Sequence, residues 1–328
     1  MNGKHRDIPC RSHAYVSHCY HMERYYVKLL TTSETSESKT MPYQSVFRPD
    51  LFKGQTIIVT GGGSGIGRCT AHELSSLGAH VVLVGRTLEK LETVKTEILE
   101  DGGSVSIYAC DIRDEEAVIQ TIESVLRERG RIDALVNNAG GQYRTALKTI
   151  STKGFEAVVR NNLTGGFIFM RETYNRWMEN HGGAIVNIIA DIWNGWPDIA
   201  HSGAARAGML NLTESAACEW AVSNVRVNTV APGGIASSGF DTYTPEAKAK
   251  ILEFPPTVPL QRYGSESEVS AAIVFLLSPA AAYITGSCIR VDGGTPNARN
   301  TWTLEPHQRS KSFEAFHRSH LPELLQKK

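Results

Sequence analysis

The chain has 328 residues, with 34 basic side chains against 34 acidic ones and 41% hydrophobic residues. Balanced charge removes the electrostatic argument for a nucleic-acid or anionic-membrane partner, and no apolar run reaches the roughly 18 residues that a membrane span needs. The six cysteines form no CxxC pair, which excludes zinc-ribbon and thiol-redox motifs and fits a reducing, cytoplasmic setting.

Residues 1–40 are rich in His, Tyr and Arg and end in TTSETSESKT, with neither strand alternation nor a helical stripe. They read as a disordered or non-native extension, with Met41 as a candidate start. From Gln55 the pattern changes. Strands are expected at 56–60, 80–85, 104–109, 134–138, 184–189, 225–230 and 287–291. Helices are expected at 65–77, 87–100, 114–128, 155–179, 203–221 and 266–277. Continuous apolar strands separated by helices predict one α/β domain over 41–294, a doubly wound parallel seven-stranded sheet of Rossmann type. Residues 295–328 form a polar tail expected to wrap the surface or fray. The His residues lack HxH or HxxxH spacing backed by carboxylates, so no metal site is expected.

The first strand runs into Thr60-Gly61-Gly62-Gly63-Ser64-Gly65-Ile66-Gly67 and then a helix. Glycines allow a tight turn and a close approach of pyrophosphate, which the free N–H groups of the helix N-terminus then hold. Gly61, Ser64, Gly65, Ile66 and Gly67 are the candidate phosphate cradle. An enzyme for the unphosphorylated dinucleotide carries Asp or Glu about 20 residues on. Here Arg86 stands there, a cation suited to a 2′-phosphate, so NADP(H) is the expected cofactor. A solvated surface arginine is the alternative. Asp111 and Ile112 follow the third strand and are placed at the adenine. The alternative for Asp111 is a helix cap, a role that Asp114 fits better. Asn138, Ala139 and Gly140 end the fourth strand where small residues permit cofactor contact. Pro232 and Gly233 end the sixth, where they would close over the nicotinamide carboxamide.

Together TGGGSGIG, the DI pair, NNAG, Asn162 in NNLTGG, IVN at 185–187 and RVN with APGG resemble the short-chain dehydrogenase/reductase superfamily over about residues 51–294. The resemblance implies cofactor at the strand C-termini, a flexible substrate segment near 235–262, and a homotetramer built through 155–179 and 203–221. The usual catalytic set is altered. Ala190, followed by Asp191, takes the place of the family's serine. In HSGAARAG, Ser202 takes the tyrosine position and Arg206 the lysine position; Asn162 is retained.

That loss has a chemical consequence. Alcohol–ketone interconversion needs a base of lowered pKa at the carbonyl oxygen, for which serine beside guanidinium is poor. Reduction of a C=C bond conjugated to a thioester needs only donors aimed at the oxygen that collects charge. HSGAARAG with GGQ, NLTGG, EW and LLSPAA resembles the peroxisomal trans-2-enoyl-CoA reductases, although the tyrosine proposed as proton donor there is Leu210 here and the chain ends LLQKK. The implied activity is NADPH-dependent saturation of enoyl-CoA thioesters. Two alternatives stand beside it: an alcohol or aldehyde dehydrogenase acting on citronellol or citronellal, and an inactive dinucleotide-binding protein.

Asn162, Ser202 and Arg206 are the candidate catalytic residues. Asn162 orients a water or the thioester oxygen, or else bends its helix by back-bonding the main chain. Ser202 donates to the enolate, or caps its helix. Arg206 holds the nicotinamide ribose or counters the enolate charge, or else pairs with Asp191. His201 and Tyr143 are further proton-donor candidates. WNGWPDI (193–199) lines an acyl pocket, or forms a satellite of the core.

Overall fold

The computed structural model describes residues 42–242, 245–299 and 301–326; the predicted extension at 1–40 lies outside them. Seven parallel strands form one sheet in the order β3-β2-β1-β4-β5-β6-β7. They are β1 Thr56–Thr60, β2 His80–Gly85, β3 Ser104–Ala109, β4 Ala134–Asn137, β5 Gly183–Ile188, β6 Val225–Pro232 and β7 Cys288–Val291. Strand alternation feeds two cores. In β1, Ile57 and Val59 join one apolar cluster and Ile58 the other, and all three are fully buried. Each such side chain contributes roughly 1.5–3 kcal/mol of transfer free energy.

The helices that cover the two faces are α1 (Gly65–Ser76), α2 (Leu88–Glu100), α3 (Glu115–Arg129), α4 (Thr152–Val159), α5 (Gly165–Thr173), α6 (Glu179–His181), α7 (Ala200–Glu219), α8 (Pro245–Glu253) and α9 (Glu266–Leu277). Local chemistry sets several ends. Asp114 caps α3 by accepting from the Ala117 N–H, and Gly130 closes it in the left-handed conformation. Ser265 and Glu268 form a capping box that starts α9.

Three predicted segments differ from what folds. The span 155–179 is not one helix: π-helical turns at Arg160–Thr164 and Tyr174–Met178 interrupt it. The stretch expected to start at 203 begins at Ala200. The span 235–262, expected as a flexible segment over the substrate, contains α8, which local periodicity had not revealed.

The tail runs over the surface. Ala315 and Phe316 are buried against Tyr43 and Cys69, and Leu325 packs with Ile251 and Tyr263. Asp241 ties the tail to the 235–262 span, accepting from the Glu323 N–H at 2.8 Å and pairing with His320 at 2.6 Å. Among the described residues no helix is long and apolar enough to cross a membrane.

Candidate active site

Strand order reverses between β1 and β4, so their C-terminal ends diverge into a crevice, the position where open α/β sheets bind ligands. Thr60 joins the two edges. Its Oγ1 accepts the N–H groups of Asn138 and Ala139, each at 3.0 Å, and Asn138 Nδ2 donates back to Thr60 O at 3.0 Å. Gly67 is required by close approach, since a Cβ there would lie 2.4 Å from Gly61 O.

The start of α1 is electrostatically open. Ser64 occupies the cap position with no side-chain cap bond, and the first turn holds no acidic residue. Its N–H groups and dipole are therefore available to an anion, so the residues present fit a dinucleotide pyrophosphate. Ile66 packs on the core behind the turn. Arg86 lies exposed just past β2 and has no ion-pair partner among the described residues. Asp111 is less free: Arg113 clamps its carboxylate, with Nε to Oδ1 at 2.9 Å, and holds its pKa down to about 2. Ile112 is buried, packed on Gly165. Pro232 ends β6, where its carbonyl accepts the Asp191 N–H at 3.1 Å, and the Gly233 N–H donates to Val291 O at 3.0 Å.

Asn162, Arg206 and Gly140 converge at the strand C-termini. A Cβ on Gly140 would meet Arg206 Nη2 at 2.4 Å and Asn162 Oδ1 at 2.6 Å. Asn162 sits in the first π-helical turn, a backbone form frequent at functional sites. Its Nδ2 donates to Val158 O (2.9 Å) and Gly141 O (2.7 Å), and its Oδ1 accepts the Gly141 N–H (3.0 Å). The amide thus both back-bonds its own helix and pins the 140–142 loop.

Ser202 is not a cap. Ile199 holds that position, and Ser202 lies fully buried inside α7, its Oγ donating to Gln142 Oε1 at 3.4 Å. Arg206 does not pair with Asp191. It donates to the Ile188 carbonyl, no carboxylate pairs with it among the described residues, and burial pushes its pKa down to about 10. It is a cation without an anion, facing the loop that Asn162 holds.

Asp191 belongs to a different cluster at the ends of β5 and β7. Burial, then the nearby Asp292, raise its pKa. Arg290 stands 3.7 Å from Asp292 and stacks over Trp193. Trp193 packs against the core, so this part of WNGWPDI is a core satellite.

His201 lies next to Ser202 and is fully buried. Its Nδ1 accepts the Ser202 N–H at 3.0 Å, which puts the proton on Nε2, and Nε2 has no hydrogen-bond partner among the described residues. Tyr143 meets this ring edge-on, centroids 4.7 Å apart, while its hydroxyl lies towards Gly154. Gln142 was not singled out from the sequence beyond its place in GGQ. Only the folded loop brings it to Ser202.

The family model for enoyl-(acyl carrier protein) reductase matches residues 61–296. A peroxisomal 2,4-dienoyl-CoA reductase of Danio rerio is 35% identical over 77% of this chain and 85% of its own length. A 3-oxoacyl-[acyl-carrier-protein] reductase of Synechocystis is 37% identical over 73% of this chain and 96% of its own. Among solved structures, the citronellol catabolism dehydrogenase of Pseudomonas aeruginosa PAO1 is 59% identical with a TM-score of 0.70, covering 77% of this chain and 100% of that one. With the crevice, the glycine turn and this breadth of likeness in place, the chain belongs to the short-chain dehydrogenase/reductase family, oxidoreductases that bind a nicotinamide dinucleotide.

Proposed function

We propose that this protein uses NADPH to reduce the trans-2 double bond of enoyl-CoA thioesters. The observation that carries this reading is the Ser202–Arg206 pair, one turn apart in α7 and buried, where a carbonyl reductase needs a phenol beside an ammonium. The likeness to dienoyl-CoA reductases supports it. Arg86, exposed just past β2 and in no ion pair among the described residues, supports the phosphorylated cofactor.

Bound NADPH supplies the hydride that adds to Cβ of the substrate. The Cα=Cβ electron pair then shifts towards the thioester oxygen, giving an enolate that takes a proton from solvent at Cα. Here the chain's own groups act. The unspent His201 Nε2–H donates to the enolate oxygen, the Ser202 Oγ–H turns from Gln142 Oε1 to join it, and Arg206 offsets the charge. Burial strengthens each of these interactions because little water screens them. Asn162 holds the 140–142 loop so that Gln142 keeps Ser202 in place. Self-association into a homotetramer through α4, α5 and α7 accompanies this reading. The part-exposed Phe155 and Phe167 on α4 and α5 support it.

The 59% identity to a citronellol catabolism dehydrogenase favours a second reading, oxidation of a terpenoid alcohol. One assay separates the two. NADPH oxidation with crotonyl- to decenoyl-CoA, and none of the reverse reaction with citronellol, is expected. Steady NADP⁺ reduction with citronellol and no turnover of enoyl-CoA would replace the first reading with the second. Cofactor binding without turnover of either would leave an inactive dinucleotide-binding protein.

A further inference from the structure

At the edge of the sheet opposite the crevice, three residues far apart in sequence meet: His72 on α1, Asp101 just past α2, and His317 in the tail. Their nearest ligand atoms all lie within 4.8 Å of one another. We propose that these three side chains bind one divalent transition-metal ion of the zinc type and so clasp the C-terminal tail to the domain.

Hydrogen bonding fixes which atoms are offered. His72 Nε2 donates to Glu97 Oε2 at 3.1 Å, and Glu97 is itself held by Arg68 through Nε at 2.8 Å and Nη2 at 2.7 Å. A carboxylate behind an imidazole is the usual support of a metal-ligating histidine: it sets the tautomer and raises the basicity of the other nitrogen. That other nitrogen, Nδ1, stands 3.2 Å from Asp101 Oδ2. His317 Nε2 stands 3.0 Å from the same oxygen.

Asp101 Oδ2 is buried, and neither nitrogen reaches it with regular hydrogen-bond geometry. The nitrogens lie close to the oxygen without aiming a proton at it. Ligands that converge on a shared ion behave this way. With bonds of about 2.0–2.1 Å, tetrahedral ligand atoms sit roughly 3.3 Å apart. Two imidazoles and a carboxylate suit zinc-type ions better than magnesium or calcium. The other oxygen, Oδ1, accepts from Arg318 Nη2 at 3.0 Å, which orients the carboxylate.

Access is provided by a cavity of about 370 Å³ that both His72 and Asp101 line, with Ser75, Gly102 and Gly103. Solvent from this cavity would complete a tetrahedral set beside the three side chains. One contact must yield: Arg318 Nε donates to His317 Nε2 at 3.1 Å and has to release that nitrogen to the ion. The site is remote from the crevice, because α1 and α2 run back from the strand C-termini to this edge. Its consequence is anchorage, since the tail continues from His317 to His320 and its contact with Asp241 of the 235–262 span.

The test uses the full chain, stripped with chelator and titrated with Zn²⁺ against a chromophoric chelator, with Mg²⁺ as control. Residues 1–41 carry His5, His13, His18, His21, Cys10 and Cys19, so the informative quantity is the difference between wild type and His317→Ala. Wild type is expected to bind one Zn²⁺ more than the variant, or the same ion at least about tenfold more tightly. Zn²⁺ should also slow tryptic cleavage after Arg309, Lys311 and Arg318 in wild type alone. His317→Gln, which keeps a polar side chain of similar reach, repeats the comparison if the alanine variant misfolds. Equal stoichiometry and affinity in wild type and variants, or tail cleavage indifferent to Zn²⁺, overturns the proposal and leaves a histidine–carboxylate network without an ion.

Discussion

Replacing Arg86 by alanine tests the cofactor assignment where the protein pays least for the change. Arg86 is exposed, makes no ion pair among the described residues, and follows β2 rather than lying within it. Its loss should therefore move stability by no more than about 0.5 kcal/mol. Towards a 2′-phosphate the guanidinium offers a charge-assisted bond worth about 1.5–3 kcal/mol. Solvent exposure favours the lower part of that range. At about 1.4 kcal/mol per decade, KM for NADPH should rise roughly tenfold to thirtyfold. KM for NADH should not change, because a 2′-hydroxyl gives the cation little to hold. Salt supplies an independent check. Raising ionic strength from 0.1 to 1 M shortens the screening length from about 10 to 3 Å, so the wild-type preference should shrink while that of Arg86→Ala stays flat. Steady-state kinetics with both cofactors at two salt concentrations measures this. Equal losses for NADPH and NADH, or no loss for either, would refute a phosphate-reading Arg86.

Other perturbations probe the rest of the site. Arg206→Met removes a buried cation that has no carboxylate partner among the described residues; Tm should hold or rise while kcat falls about a hundredfold. A lower Tm with unchanged kcat would make Arg206 structural. Asn162→Ala strands the Val158 and Gly141 carbonyls and should cost about 1–3 kcal/mol in denaturant melts as well as lowering kcat. Unchanged kcat would remove the 140–142 loop from catalysis.

Glu266 offers a pH test. Burial raises its pKa from 4.5 to about 7. The folded state then binds a proton that the unfolded chain has released, so its contribution is fullest below pH 4.5 and is lost as pH rises to about 7. Relative to Glu266→Gln, wild type should lose of order 3 kcal/mol between pH 4.5 and 8. Parallel stability curves for the two proteins would contradict that burial.

The strands were legible because each is a short apolar run ended by turn residues, a local pattern that tertiary packing only ratified. All seven strands start within one residue of expectation, and β1, β2 and β3 match at both ends. The glycine turn into α1 was legible for a similar reason: the end of β1, the glycines and the helix start are neighbours along the chain. Helical continuity was less so. The π-helical turn around Asn162 depends on a side chain reaching Gly141, 21 residues away.

What the sequence by itself determined is therefore the periodic and the adjacent: seven parallel strands, the open helix N-terminus, a cation rather than a carboxylate beyond β2, and the absence of the tyrosine–lysine couple. The tertiary structure alone decided pairings across the chain. It left Arg206 without Asp191, moved Ser202 from a cap to the interior, bared a proton on His201, and brought His317 to His72 over 245 positions of sequence. Local patterns report torsional and hydrophobic preferences, which act over a few residues. A charge or a ligand acts through space, and which atoms lie within a few ångströms is settled only when the core closes.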